Sequence, residues 1–149
     1  MRKLILFCLF LVIVVPAGIY IKKKFFISDK ERIKRTLKLA EKYLEEKDHI
    51  KFMKQFSIEY RDDFGNTWGT LFFFVKNVMK NYEKIRVSLS KVNIKIEGKE
   101  AVVRFIGKGE VVSNYGEVIR EMGRLLIKMK KEGTKWKIIW AEEEKYSFD

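Results

Sequence analysis

The sequence predicts an α+β domain carried behind one N-terminal membrane-spanning helix. Three observations predict it. Leu4 to Ile21 is an unbroken run of 18 uncharged, almost wholly apolar residues. Between residues 29 and 81 apolar side chains recur three or four positions apart, the spacing of a helix face. From Glu83 onward they recur at every second position, the spacing of a half-buried strand.

The first element is the apolar run. As a helix it would be about 27 Å long, close to the roughly 30 Å hydrocarbon core of a bilayer. Leu4, Phe7, Phe10, Val14, Tyr20 and Ile21 would face lipid along it. Arg2 and Lys3 precede it, and Lys22, Lys23 and Lys24 follow it. Tyr20 and those lysines suit an interfacial boundary, where a ring and cationic heads meet the headgroups. A cleaved secretory signal is the competing reading, because Val15-Pro16-Ala17 has the small-residue spacing that signal peptidase accepts. The apolar character continues through Ile19, Tyr20 and Ile21, which favours an uncleaved anchor. A basic start resembling a signal n-region favours an extracytoplasmic domain, residues 25–149, although the later lysines pull the other way.

Ser28-Asp29-Lys30-Glu31 has the form of a capping box, so a first helix is expected from Asp29 to about Lys47, with Ile33, Leu37, Ala40 and Leu44 on its inward face. Asp48 caps a shorter second helix through Phe56. Ile58 to Phe64 reads as a short extended piece closed by Gly65-Asn66, and a third helix runs from Thr67 to Asn81. Ile85, Val87 and Leu89 alternate on odd positions, but Val92, Ile94 and Ile96 on even ones. The phase change at Ser90-Lys91 predicts a β-bulge. A turn at Glu97-Gly98-Lys99 leads to a strand from Ala101 to Val112. Glu117 to Lys131 suits a helix as well as a strand. The alternation of Leu125, Ile127 and Met129 favours a strand, bulged at Gly123. The last strand, Lys135 to Glu142, would put Trp136, Ile138 and Trp140 on one face.

Composition narrows the partners. The chain is 47% hydrophobic and 14% aromatic, enough for one cored domain. Its net charge of +12 favours anionic partners, or simply a solvated Lys/Glu surface. Abundant lysine and a single glutamine, Gln55, match the compositional drift of heat-adapted proteins. The one cysteine, Cys8, lies in the apolar run, so residues 25–149 offer neither a disulfide nor a Cys/His zinc site.

The order of these pieces resembles the NTF2-like (SnoaL-like, cystatin-like α+β) superfamily. The likeness rests on the opening helix with Leu37, Ala40, Tyr43 and Leu44, on Asp48 leading to Phe56, on Tyr60-Arg61-Asp62-Asp63-Phe64, on the Tyr82 to Ile106 hairpin and on Gly133-Thr134-Lys135-Trp136-Lys137-Ile138. It implies three helices packed on a curved antiparallel sheet of about four strands, forming a cone. It also implies a ligand pocket near Tyr60, Asp62, Trp68, Phe72, Trp136 and Trp140. It implies no particular chemistry, because a fold does not carry a function with it.

Catalytic signals are weak. His49, the only histidine, adjoins Asp48 at a helix start, where capping explains both. Tyr60 and Asp62 could act as acid and base in an apolar cone, as the isomerase branch does with a buried carboxylic acid kept neutral, but Asp62 and Asp63 lie beside Arg61 just before a turn, which favours a solvated turn. Gly107-Lys108-Gly109 lacks the spacing and the following helix of a phosphate loop. The expectation is therefore a membrane-tethered binding or assembly module with no catalytic site, cofactor or metal. Its partners would be the bilayer and a protein partner or a second copy, and not nucleic acid. A pocket enzyme acting on a small apolar substrate is the alternative.

Overall fold

The computed structural model describes residues 27–144, so the predicted span and its residues Leu4, Phe7, Phe10, Val14, Tyr20 and Ile21 lie outside the described residues. Among the described residues no helix is long and apolar enough to cross a membrane.

The first helix, α1, spans Asp29–Glu45. Ser28 caps it, its hydroxyl accepting from the Glu31 N–H at 3.2 Å. The predicted box closes from that side, whereas the Glu31 carboxylate pairs with Lys34 at 3.1 Å. The second helix, α2, is only His49–Met53, capped by Asp48. It stops short of Phe56 because the chain there is taken by the sheet: Gln55 O accepts from Ile138 N at 3.0 Å. Phe56 consequently opens β1, Phe56–Asp62, two residues earlier than expected. The third helix, α3, spans Trp68–Asn81 and carries the complete reciprocal box, between Thr67 and Thr70. Four strands follow: β2 Tyr82–Glu97, β3 Glu100–Ser113, β4 Val118–Glu132 and β5 Lys135–Glu144.

The sheet has five strands, not about four, in the order β1-β5-β4-β3-β2. The addition is β1, which runs parallel to β5 with Phe56 opposite Ile138. The sheet is therefore mixed rather than wholly antiparallel. The predicted bulge in β2 is present: pairing with β3 shifts between Ser90 and Asn93, and Lys91 takes a left-handed φ of 51°. The bulge predicted at Gly123 is not. Gly123 pairs in register with Gly107, and the irregularity sits in β5, where Lys128 faces Trp140 but Met129 faces Ile138. Ile139 is the extra residue. One extra residue reverses every later side chain. Trp136 and Ile138 therefore enter the core, while Trp140 turns to the outer face beneath Lys128 Nζ, 5.4 Å from the ring centroid.

The main core lies between α1 and the inner sheet face, around Ile33, Leu37, Val103, Met129 and Trp136. A second cluster joins α2, α3 and the start of β2 through Met53, Val75, Met79 and Ile85. The free edge of β2 is covered by α1. Glu41 and Glu45 accept the N–H groups of Leu89 and Val87 at 2.7 and 3.1 Å. Two carboxylates thus occupy the unpaired donors through which an edge strand would recruit another chain.

Asp29 ties the start of α1 to the far end of the sheet. Its carboxylate accepts from Lys131 Nζ at 2.9 Å and from Trp136 Nε1 at 3.1 Å. These two hydrogen bonds, Lys131 first, hold its pKa below the usual carboxylate value. A depressed folded-state pKa contributes stability above the unfolded pKa of about 3.9 and loses it as pH falls through the folded value. Asp29→Asn should therefore melt below the native chain at pH 7, with the gap closing as pH falls below about 4 in melts followed by circular dichroism. A gap independent of pH would mean that the pair contributes nothing through its charge.

Candidate functional site

The helix and the curved sheet leave a cavity of about 800 Å³ between them. On α1, Leu37, Ala40, Glu41 and Leu44 share one face at steps of three and four, and all four line it. The sheet contributes Val87, Leu89, Phe105, Leu125 and Ile127 from the alternate positions that face inward. Phe52 and Phe56 close the end towards α2.

Glycines open the other end. Gly107 and Gly123 lie opposite each other on β3 and β4 and, with Gly109, line the cavity where side chains would otherwise fill it. A Cβ at Gly107 would lie 3.1 Å from Leu125 Cδ1, and one at Gly123 would lie 2.9 Å from Glu143 Oε1. The mouth there is polar, with Lys108, Glu121 and Glu143 exposed around it. Glu41, the third carboxylate in the lining, is half-buried and engaged by the Leu89 N–H.

The six residues expected at a pocket lie elsewhere, and none lines this cavity. Tyr60 is 3% exposed in the main core, and its hydroxyl donates to Asp62 Oδ2 at 3.2 Å. Burial, then the Asp62 charge, pushes the phenol well above its usual pKa. Asp62 closes the turn after β1, accepting from the N–H groups of Phe64 and Asn66 and from Asn66 Nδ2 at 3.0, 2.8 and 2.9 Å. Burial raises its pKa, but the bonds from Asn66, Tyr60 and Phe64 more than offset that and leave it below the usual value. Such a carboxylate stays ionised at neutral pH, unlike the protonated carboxyl that an apolar isomerase pocket holds neutral. Trp68 donates to Met53 O at 3.4 Å and stacks on Phe72, which meets the edge of His49. Trp136 is buried against Asp29, and Trp140 is on the outer face. Among the described residues no group of three or more His, Cys, Asp or Glu side chains is placed to hold a metal ion.

The cavity residues are present in the sequence as helix spacing and strand alternation, a pattern that marks an apolar face and by itself predicts core. The signal that distinguishes them is Gly107 facing Gly123, and that pairing is legible only once the strand register is known.

No protein-family model and no curated protein matches this sequence. Solved structures do. Bd1075 of Bdellovibrio bacteriovorus superposes with a TM-score of 0.68 at 20% identity over 83% of this chain, which spans only 45% of that one. An NTF2-like superfamily protein of Salmonella enterica gives 0.67 at 21% identity, covering 77% of this chain and 89% of its own. A candidate scytalone dehydratase of Novosphingobium aromaticivorans gives 0.73 at 15% identity, covering 78% and 83%. At such identities the likeness concerns fold, and the described residues have the NTF2-like α+β fold.

Proposed function

We propose that this chain is a membrane-tethered binding module whose NTF2-like cone holds an apolar ligand and performs no chemistry on it. The observation that carries the reading is the 800 Å³ cavity with an aliphatic and aromatic interior. Shape and apolar burial supply affinity in such a site, and a few polar groups at the mouth set orientation. Two carboxylates and one lysine at the rim disfavour an anionic headgroup and suit a neutral amphiphile. Tethering rests on the Leu4 to Ile21 run, which would keep the cavity beside a reservoir of such molecules, on the extracytoplasmic side.

The alternative, a pocket enzyme using Tyr60 and Asp62, draws support from the dehydratase name of one structural neighbour. Against it, the Asp62 carboxylate is consumed by its own turn and does not line the cavity.

The test uses the full chain in sealed vesicles. A long-chain alcohol bearing a photoactivatable diazirine should crosslink saturably to cavity peptides, with mass spectrometry finding adducts at Leu37, Leu89, Phe105 or Leu125. Adducts confined to other surfaces would overturn the binding reading. Protease digestion and intact mass on the same preparation read the tether independently. A species beginning near Gly18 and released from the vesicles would overturn it.

A further inference from the structure

A second concavity, of about 580 Å³, lies where the described chain begins, lined by Ile27 and by residues of α1, the α2–β1 junction and the β4–β5 turn. Five cations face it: Arg32, Arg35, Lys54, Lys135 and Lys137. No carboxylate lines it. Among the described residues none of the five forms an ion pair. Arg32 is held in place by backbone carbonyls, donating to Ile27 O at 3.1 Å and to Thr134 O at 2.7 Å. Lys137 donates to Lys54 O. Burial, then the neighbouring charge of Lys135, lowers the Lys137 pKa. Among the described residues outside the groove some cations meet a carboxylate, as Lys34, Lys130, Lys131, Arg104 and Arg120 do within 3.1 Å, and others such as Lys76, Lys80 and Lys95 do not; what sets the groove apart is five cations together with no carboxylate in the lining. Asp29 acts on Arg32 and Glu132 on Lys137 from outside the lining, but two negative charges against five positive ones leave an excess that an anion would relieve.

We infer that this groove binds the phosphate of anionic phospholipid headgroups, in the same leaflet that the chain's apolar run would enter. The inference rests on the tether reading, and two observations select lipid as the source of the phosphate. The first is charge complementarity: five cations with no carboxylate in the lining, of which Arg35, unlike the carbonyl-bound Arg32, is suited to bidentate contact with phosphate. The second is reach. Only five residues, and so six Cα–Cα steps, separate Ile21, the end of the apolar run, from Ile27 in the groove wall. Even fully extended they span about 20 Å, so a bilayer holding Ile21 places its headgroups within that distance of the groove. Lys22, Lys23 and Lys24 lie on that path and would add to the attraction. The groove would orient the domain on the membrane, with α1 and the β4–β5 turn facing lipid.

The experiment reconstitutes the full chain in vesicles of phosphatidylcholine alone or with one part in three phosphatidylglycerol. Brief acetylation followed by mass spectrometry gives a rate for each lysine. The anionic vesicles should slow Lys54, Lys135 and Lys137 about fivefold relative to Lys76 and Lys80, which lie on α3 and do not line the groove. Arg35→Glu should remove that protection although it deletes no amine. Equal slowing at Lys76 and Lys80, or none anywhere, would overturn the inference. Equal protection by soluble glycerol phosphate over neutral vesicles would overturn it too, reducing the groove to a free-anion site. Flotation separates the two readings. A chain that floats with anionic vesicles only keeps the groove and loses the tether, and one that floats with both but shows no groove protection does the reverse.

Discussion

Trp136→Ala should lower the melting temperature of the domain by about 10–20 °C, the largest effect expected of any single substitution here. The indole is 1% exposed and belongs to the main core cluster. Truncating a fully buried aromatic residue to alanine costs about 3–5 kcal/mol, through lost transfer energy and the void left behind. A polar loss adds to this, since Trp136 Nε1 is one of the two side-chain donors to Asp29. Trp136→Phe separates the contributions. It keeps most of the volume and removes the donor, so it should cost only about 1–2 kcal/mol. If the alanine variant melted within about 3 °C of the native chain, the indole would not be a core element and the α1–sheet packing would have to be revised.

Ala40→Trp should weaken cavity labelling by the diazirine-bearing long-chain alcohol about tenfold while leaving the fold intact. Ala40 is half-buried and faces the cavity from α1 between Leu37 and Leu44. An indole there occupies room that would hold roughly five ligand carbons. At about 0.3 kcal/mol per ligand atom, that is about 1.5 kcal/mol, or a tenfold change in affinity. The new side chain enters open volume rather than a packed interior, so overpacking is avoided. Unchanged concentration dependence of labelling, with the far-ultraviolet spectrum preserved, would show that the probe does not use this cavity.

The helices were legible because their signals are local. Leu37, Ala40 and Leu44 lie within two turns, and Ser28, Asp48 and Thr67 each cap the helix that follows directly. The β2 bulge was legible for the same reason, since the side-chain phase changes across Ser90-Lys91. The β5 bulge was not. Ile138, Ile139 and Trp140 are all apolar, so inserting one residue leaves no polar marker of the reversal, and Trp140 lies on the face opposite to the one its alternation with Trp136 predicts. The place of β1 was hidden for a different reason. Its partner is β5, at the other end of the domain, and a parallel pair leaves no hairpin turn in the sequence.

The chain's linear order therefore determined what depends on neighbours a few residues apart: three helices, their caps, the run of strands, the excess of positive charge and an 18-residue apolar segment. Tertiary structure alone decided what depends on residues distant along the chain. The fifth strand, the face of Trp140, the Gly107–Gly123 opening and the five-cation groove belong to this second kind. Burial and cavity shape are properties of surfaces that meet only after folding. An i, i+3, i+4 pattern states which face is apolar, but whether that face meets side chains or empty volume is set by the residues opposite it.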